Sequence, residues 1–202
     1  MTGLLPMFLK LEGRRCLVVG AGAVAEPKIE SLLRTGAEML VVAPRATETI
    51  VRWAEEKMLT WERRNFQSAD LKRRFLVIAA SSPEVNDRVF RQARRKSVLC
   101  NVVDDPQRCD FFYPAIIRRG QLQIAVSTGG LSPALAQRIR QDLERQFGPE
   151  YEAWLEQIGR RRRELLAAPM DATRRRLILH SLASRDSFQD FLRRTSPRSR
   201  VG

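Results

Sequence analysis

Histidine occurs once in these 202 residues (His180) and cysteine three times (Cys16, Cys100, Cys109). Neither type clusters at metal-ligand spacing, so no resident transition-metal cage is expected. Thiols this far apart fit a reducing compartment rather than a disulfide scaffold. No apolar run approaches the roughly 20 residues that a membrane-spanning helix needs. The opening "MTGLLPMFLKLEGRR" lacks a charged lead before its apolar residues and does not read as a secretory signal. A cytoplasmic protein without a membrane partner is therefore expected. Acid is also in short supply: 23 Asp+Glu face 36 Lys+Arg, a formal net charge of +13. Much of the excess lies in "GRRRRELL", "ATRRRLILH" and "FLRRTSPRSR" near the C-terminus. Such runs usually form a solvated helix face. The functional alternatives are attraction of a polyanionic small molecule or of nucleic acid.

What is present is an alternation of strands and helices. "RCLVV" reads as a strand, followed by glycines and an amphipathic segment with Val24, Ile29, Leu32 and Leu33 on one side, then by the strand "EMLVVA". This is the length of one βαβ unit. The pattern continues with "TETIVRWAEEKM" (helix), "LTWERR" (strand), "RFLVIAAS" (strand), "SPEVNDRVFRQARRK" (helix, with Ser82 as N-cap and Pro83 at its first position) and "VLCNVV" (strand). It predicts an α/β fold, a Rossmann-like parallel sheet covered on both faces. After Val103 the rhythm changes. "FFYPAIIRRGQLQIAVST" reads as two strands around a glycine turn, "SPALAQRIRQDLERQFG" as a helix opened by Ser132-Pro133, and the rest as basic helices separated at Gly148-Pro149 and Pro169. The expected domains are 1–112, Rossmann-like; 113–147, a small α+β segment too short to bury a core without a second copy of the chain; and 148–202, basic and helical.

Gly20-Ala21-Gly22-Ala23-Val24-Ala25 matches G-x-G-x-x-[GA] between a strand and a helix. The first glycine permits a tight turn, the second lets backbone approach a pyrophosphate, and the small third residue lets helix and strand pack closely. The pyrophosphate would lie on the helix N-terminus, where free N–H groups favour anions. The acid that usually holds the ribose hydroxyls is missing, because the second strand ends in "VVAPR". Pro44 offers apolar contact and Arg45 a partner for a 2′-phosphate, so this motif leaves NAD and NADP both open.

"LPMFLKLEGRRCLVVGAGAVAEPK", "VVAP", "NVVDDP" and "FFYPAIIRRGQLQIAVSTGGLSPALAQRIRQDLE" occur in order over residues 4–147. Together they resemble the precorrin-2 dehydrogenase/ferrochelatase module of siroheme synthase. The chain lacks the methyltransferase domain fused to some members, so the stand-alone form is expected. The resemblance implies a homodimer that oxidises precorrin-2 to sirohydrochlorin with NAD⁺ and, in some members, inserts Fe²⁺ as a second substrate. It also implies NAD contacts at Ala23, Val24, Pro44 and Arg45 beside Gly20 and Gly22, a catalytic aspartate at Asp104, and Thr128 at a serine position that one branch phosphorylates. Two residues depart from the family pattern. Pro27 stands where arginine is usual, and Asp105 follows Asp104 where a small residue is common.

Asp104 lies just past a strand end, at the carboxyl edge where doubly wound sheets bind ligands. Hydride removal from a tetrapyrrole is accompanied by proton loss, which a carboxylate within hydrogen-bond reach accepts. The plain alternative is an Asp-Pro turn. Ser127, Thr128, Gly129 and Gly130 suit substrate carboxylates or a strand-ending turn equally. His180 reads as a surface residue, and Cys100 and Cys109 as structural thiols with no histidine to activate them. The rival function is a non-enzymatic Rossmann nucleotide sensor whose basic tail binds nucleic acid. It leaves "NVVDDP" and "STGG" without a role.

Overall fold

In the computed structural model, which describes residues 3–195, the end of "FLRRTSPRSR" lies outside the described residues. The chain divides into two units, Met1–Tyr113 and Pro114–Gly202.

The first unit is built on five parallel strands: β1 (Arg15–Val19), β2 (Glu38–Val42), β3 (Thr60–Glu62), β4 (Leu76–Ala79) and β5 (Leu99–Val102), in the order β3-β2-β1-β4-β5. Successive side chains leave opposite faces of a strand, and here both faces are covered. Cys16, Val18, Met39 and Val41 pack with Ile29 and Leu32 of α1 (Glu26–Leu33) and Ile50 of α2 (Glu48–Glu55). Leu17, Val19, Leu40 and Val42 pack on the other face with Val89 and Ala93 of α3 (Pro83–Arg95). The helices change face between β1 and β4, the switch point where sheets of this order open a crevice.

Two local expectations are corrected. Val24 does not join the buried side of α1: the helix starts at Glu26, and Val24, in the turn before it, is 54% exposed. Ser82 stands at the N-cap of α3, but its hydroxyl caps no backbone N–H. The ring of Pro83 at the first position, with φ already set for a helix, supplies the start instead.

Asp70, almost fully buried, accepts two hydrogen bonds from Arg64 (2.6 and 2.9 Å) and one from the Gln67 N–H (2.8 Å). Burial opposes its ionisation, but the bonds from Arg64 and Gln67 outweigh it and hold the carboxyl below its ordinary value of 3.8. A group depressed in the folded state stabilises the fold above its unfolded pKa and loses that contribution as pH falls through the folded one. Asp70→Asn is expected to lower unfolding free energy by about 2 kcal/mol at pH 7. Urea titrations should show the difference shrinking below about pH 4 as the native carboxyl protonates.

The second unit begins with an antiparallel hairpin, β6 (Ala115–Arg119) and β7 (Leu122–Val126), turning at Gly120 with φ +55°. Four helices follow: α4 (Pro133–Gln146), α5 (Glu150–Ala167), α6 (Ala172–Leu182) and α7 (Arg185–Thr195). Phe147, Tyr151, Trp154 and Phe188 stack at centroid distances of 4.4–5.7 Å and tie α5 to α7. Part of the basic charge is structural. Arg175 donates to the carbonyls of Leu165, Ala168 and Met170 at the end of α5 (3.0–3.3 Å), and Arg119 donates to Phe147 O (2.9 Å). His180 is exposed in the last turn of α6. Among the described residues no helix is long and apolar enough to cross a membrane.

Candidate functional site

Parallel strands deliver their carboxyl ends to one edge, and a row of backbone hydrogen bonds marks it in the first unit. Gly20 N–H donates to Val42 O (3.0 Å), Ala80 N–H to Val19 O (2.8 Å) and Val103 N–H to Ala79 O (3.0 Å). The glycine turn, the "APR" end of β2 and Asp104 all leave the sheet at this row. With strands roughly 4.8 Å apart, Asp104 follows a strand about 10 Å from β1.

The two glycines of the turn have different reasons to be glycine. Gly20 has φ +108°, and a Cβ there would stand 2.6 Å from the carbonyl carbon of Ala80 and closer still to its oxygen. Its constraint is internal: the end of β1 passes against the end of β4. A Cβ on Gly22 would meet nothing within 4 Å, and Gly22 has no positive φ. No group of the protein demands glycine there, so the open cradle fits a group from outside that approaches the backbone. Among the described residues no hydrogen bond engages the N–H groups of Gly22, Ala23 or Val24. Ala25 is fully buried, and its small side chain lets α1 close on the sheet. Thr47 N–H donates to Ala21 O (3.0 Å), tying the start of α2 to the turn. Free N–H groups, an exposed apolar Val24 and an unfilled cradle at a helix start match a dinucleotide's pyrophosphate and its apolar rings. Pro44 and Arg45 are exposed at the end of β2.

Asp104 is exposed, forms no ion pair among the described residues and has φ +62°. Lys57 and Ser97, also at positive φ, each follow a helix C-terminus, where left-handed residues are routine. Asp104 instead lies in the turn after β5, closed by Asp105 N–H donating to Val102 O (3.3 Å), and aspartate tolerates this region better than most side chains. Asp105 turns its carboxylate to Arg108 (3.4 Å). Cys100 is buried, with its thiol pushed up to about 12 by desolvation and the nearby Asp110. Burial likewise raises half-buried Cys109, so neither is poised as a thiolate.

Ser127, Thr128, Gly129 and Gly130 follow β7 in the second unit. Thr128 Oγ1 donates to Ser132 O (3.0 Å) and accepts from Ser132 N–H (3.1 Å), Ser127 Oγ accepts from Gly129 N–H (3.2 Å), and both glycines have positive φ. The Thr128 hydroxyl is thus spent on the turn. The Ser127 proton and the Gly130 N–H have no partner among the described residues. Sequence reasoning overlooked Asn101 and Asp110, which fasten the Asp104 loop. The one available signal was a polar residue inside the buried run "LCNVV".

Known proteins are similar to this chain in sequence and fold. The family described as putative NAD(P)-binding matches residues 7–115, and the sirohaem biosynthesis protein central family matches residues 119–146. A siroheme synthase of Nitrosococcus oceani is 42% identical over 141 residues, covering 69% of this chain and 30% of the relative. One from Pseudoalteromonas atlantica is 36% identical over 189 residues, 93% of this chain and 41% of the relative. The chain thus spans less than half the length of these relatives. The solved structure of SirC, precorrin-2 dehydrogenase, superposes with a TM-score of 0.81 at 27% identity, covering 95% of this chain and 98% of that one. With the nucleotide family matched over more than half of its length, the chain belongs to the family described as putative NAD(P)-binding and carries the sirohaem biosynthesis protein central segment after it.

Proposed function

We propose that this chain oxidises precorrin-2 to sirohydrochlorin with NAD⁺ in siroheme biosynthesis, in the cytoplasm, with Fe²⁺ insertion into the product as an optional second activity. The observation that carries this reading is one sheet edge presenting both an open glycine cradle at Gly22 and an exposed carboxylate on a left-handed turn residue at Asp104. Bound NAD⁺ supplies the hydride acceptor. The protein supplies placement: N–H groups of Gly22, Ala23 and Val24 hold the pyrophosphate, and Pro44 and Arg45 flank the adenosine half. Asp104 accepts the proton released as hydride leaves the macrocycle, so each turnover yields one sirohydrochlorin, one NADH and one proton. The same carboxylate suits removal of pyrrole N–H protons during iron insertion. Ser127 and Gly130 bind substrate carboxylates, in keeping with a strongly cationic chain and a polyanionic substrate. Residues 113–147 serve as the dimerisation segment. The two-stranded sheet β6-β7 has no further strand on either edge among the described residues, and pairing with a second copy would supply one. Residues 148–202 are the basic C-terminal domain of this reading, with α5, α6 and α7 among its described residues.

The test mixes purified protein with precorrin-2 and NAD⁺ and follows absorbance. Sirohydrochlorin and NADH should appear in equal amounts. Folded protein that binds the dinucleotide yet produces no NADH would remove the reading. Steeply salt-dependent DNA binding in its place would favour the sensor.

A further inference from the structure

We infer that Asp110 is a positioning residue that clasps the loop bearing Asp104 onto the edge strand β5. This rests on the proposed role of Asp104 as the proton acceptor.

β5 is the outer strand of the sheet, so among the described residues the backbone groups on its free side have no neighbouring strand. At Cys100 one residue supplies both missing partners. Asp110 N–H donates to Cys100 O (2.7 Å), and Asp110 Oδ2 accepts from Cys100 N–H (2.9 Å). Asp110 thus takes the place of a strand over a single residue and closes residues 103–109 into a loop at its base. Its other oxygen meets Arg94 of α3 (3.4 Å), which links the closure to the helix behind. Two further contacts tighten the same loop. Buried Asn101 donates through Nδ2 to Phe111 O (2.8 Å), and Cys109 Sγ lies 3.2 Å from both Val102 O and Asp105 O. At the head of the loop Asp104 holds φ +62° without a helix end to impose it. Sparsely populated backbone conformations persist when their surroundings over-determine them. The clasp, together with the turn closed by Asp105 N–H donating to Val102 O (3.3 Å), is that surrounding, and the two set where the Asp104 carboxylate points.

Chemistry and distance define the variants. Asp110→Asn keeps the backbone N–H and a side-chain oxygen that can accept from Cys100, whereas Asp110→Ala removes the acceptor. Asp110→Ala is expected to lower kcat on the order of 10- to 100-fold, with the KM for NAD⁺ within about twofold because the glycine turn lies on other strands. Asp110→Asn should stay within about threefold of the parent. In an Asp104→Asn background, Asp110→Ala should produce no further loss, since a residue acting through Asp104 has nothing left to position. Hydrogen exchange reads the clasp without any assay of turnover. Amides of Asp104, Asp105 and residues 107–109 should exchange on the order of tenfold faster in Asp110→Ala than in the parent, with β1 and β4 unchanged. Unchanged exchange in this loop overturns the inference, as does an equal loss from Asp110→Ala with and without the Asp104 carboxylate. Faster loop exchange beside an Asp104→Asn protein of full activity upholds the clasp as a structural device, but it removes both the proton-acceptor reading and the positioning role that rests on it.

Discussion

Gly20→Ala is expected to lower the melting temperature on the order of 10 °C and to abolish nucleotide binding with it, whereas Gly22→Val should melt within about 2 °C of the parent and still fail to bind. The two residues sit two positions apart in one motif, and the geometry separates them. A methyl group on Gly20 is driven into the Ala80 peptide, and its φ of +108° is one that side chains rarely adopt. Relief requires the ends of β1 and β4 to part at the centre of the sheet, where Val19, Ala79 and Ala80 are bonded. Strain of this kind is worth more than about 3 kcal/mol, a large share of the stability of an ordinary domain. Gly22 has open space instead: a Cβ there meets no atom of the described residues within 4 Å, and the isopropyl group of valine extends from it. It occupies the cradle itself. A loss of dinucleotide affinity on the order of 100-fold, about 2.7 kcal/mol, is expected. Thermal melts paired with NADH fluorescence titrations measure both quantities. A Gly22→Val protein that binds NADH as the parent does would show that the pyrophosphate lies elsewhere.

That difference marks where sequence reading stops. The G-x-G-x-x-[GA] pattern, its place between strand and helix, and the alternation of apolar runs come from local chemistry, and the five strands fall where the runs do. Gly148-Pro149 and Pro169 likewise separate helices in the second unit, because proline denies the preceding turn its hydrogen bond. The break between α6 and α7 has neither glycine nor proline. It is made by Ser184, whose hydroxyl accepts from Ser187 N–H (3.2 Å), a weaker signal in a run of polar residues. Val24 was misread because apolar spacing does not show where a helix begins, and an apolar residue outside α1 can serve a ligand instead of the core. The Asp110 clasp was illegible for another reason. It depends on the chain returning to an edge strand, and no periodicity in "DDPQRCDFF" encodes that return.

The left-handed backbone at residue 104 decides how its role is best tested. Asp104→Ala removes the carboxylate but also places alanine at φ +62°, so a lost rate would mix lost chemistry with a moved loop. Asparagine tolerates the same region nearly as well as aspartate, keeps the size, and cannot take up the substrate's proton. Asp104→Asn is therefore expected to bind NAD⁺ with the parent's affinity and to melt at the parent's temperature, since Asp104 is exposed and holds no ion pair among the described residues. Its kcat for precorrin-2 oxidation should fall 10²- to 10⁴-fold, the usual range for losing a positioned general base. If iron insertion uses the same carboxylate, siroheme formation from supplied sirohydrochlorin and Fe²⁺ should fall with it. A loss confined to chelation would assign Asp104 to pyrrole deprotonation alone, with hydride transfer needing no carboxylate at that strand end. Full rates in both assays would leave "DDP" as a turn that serves the loop and not the chemistry.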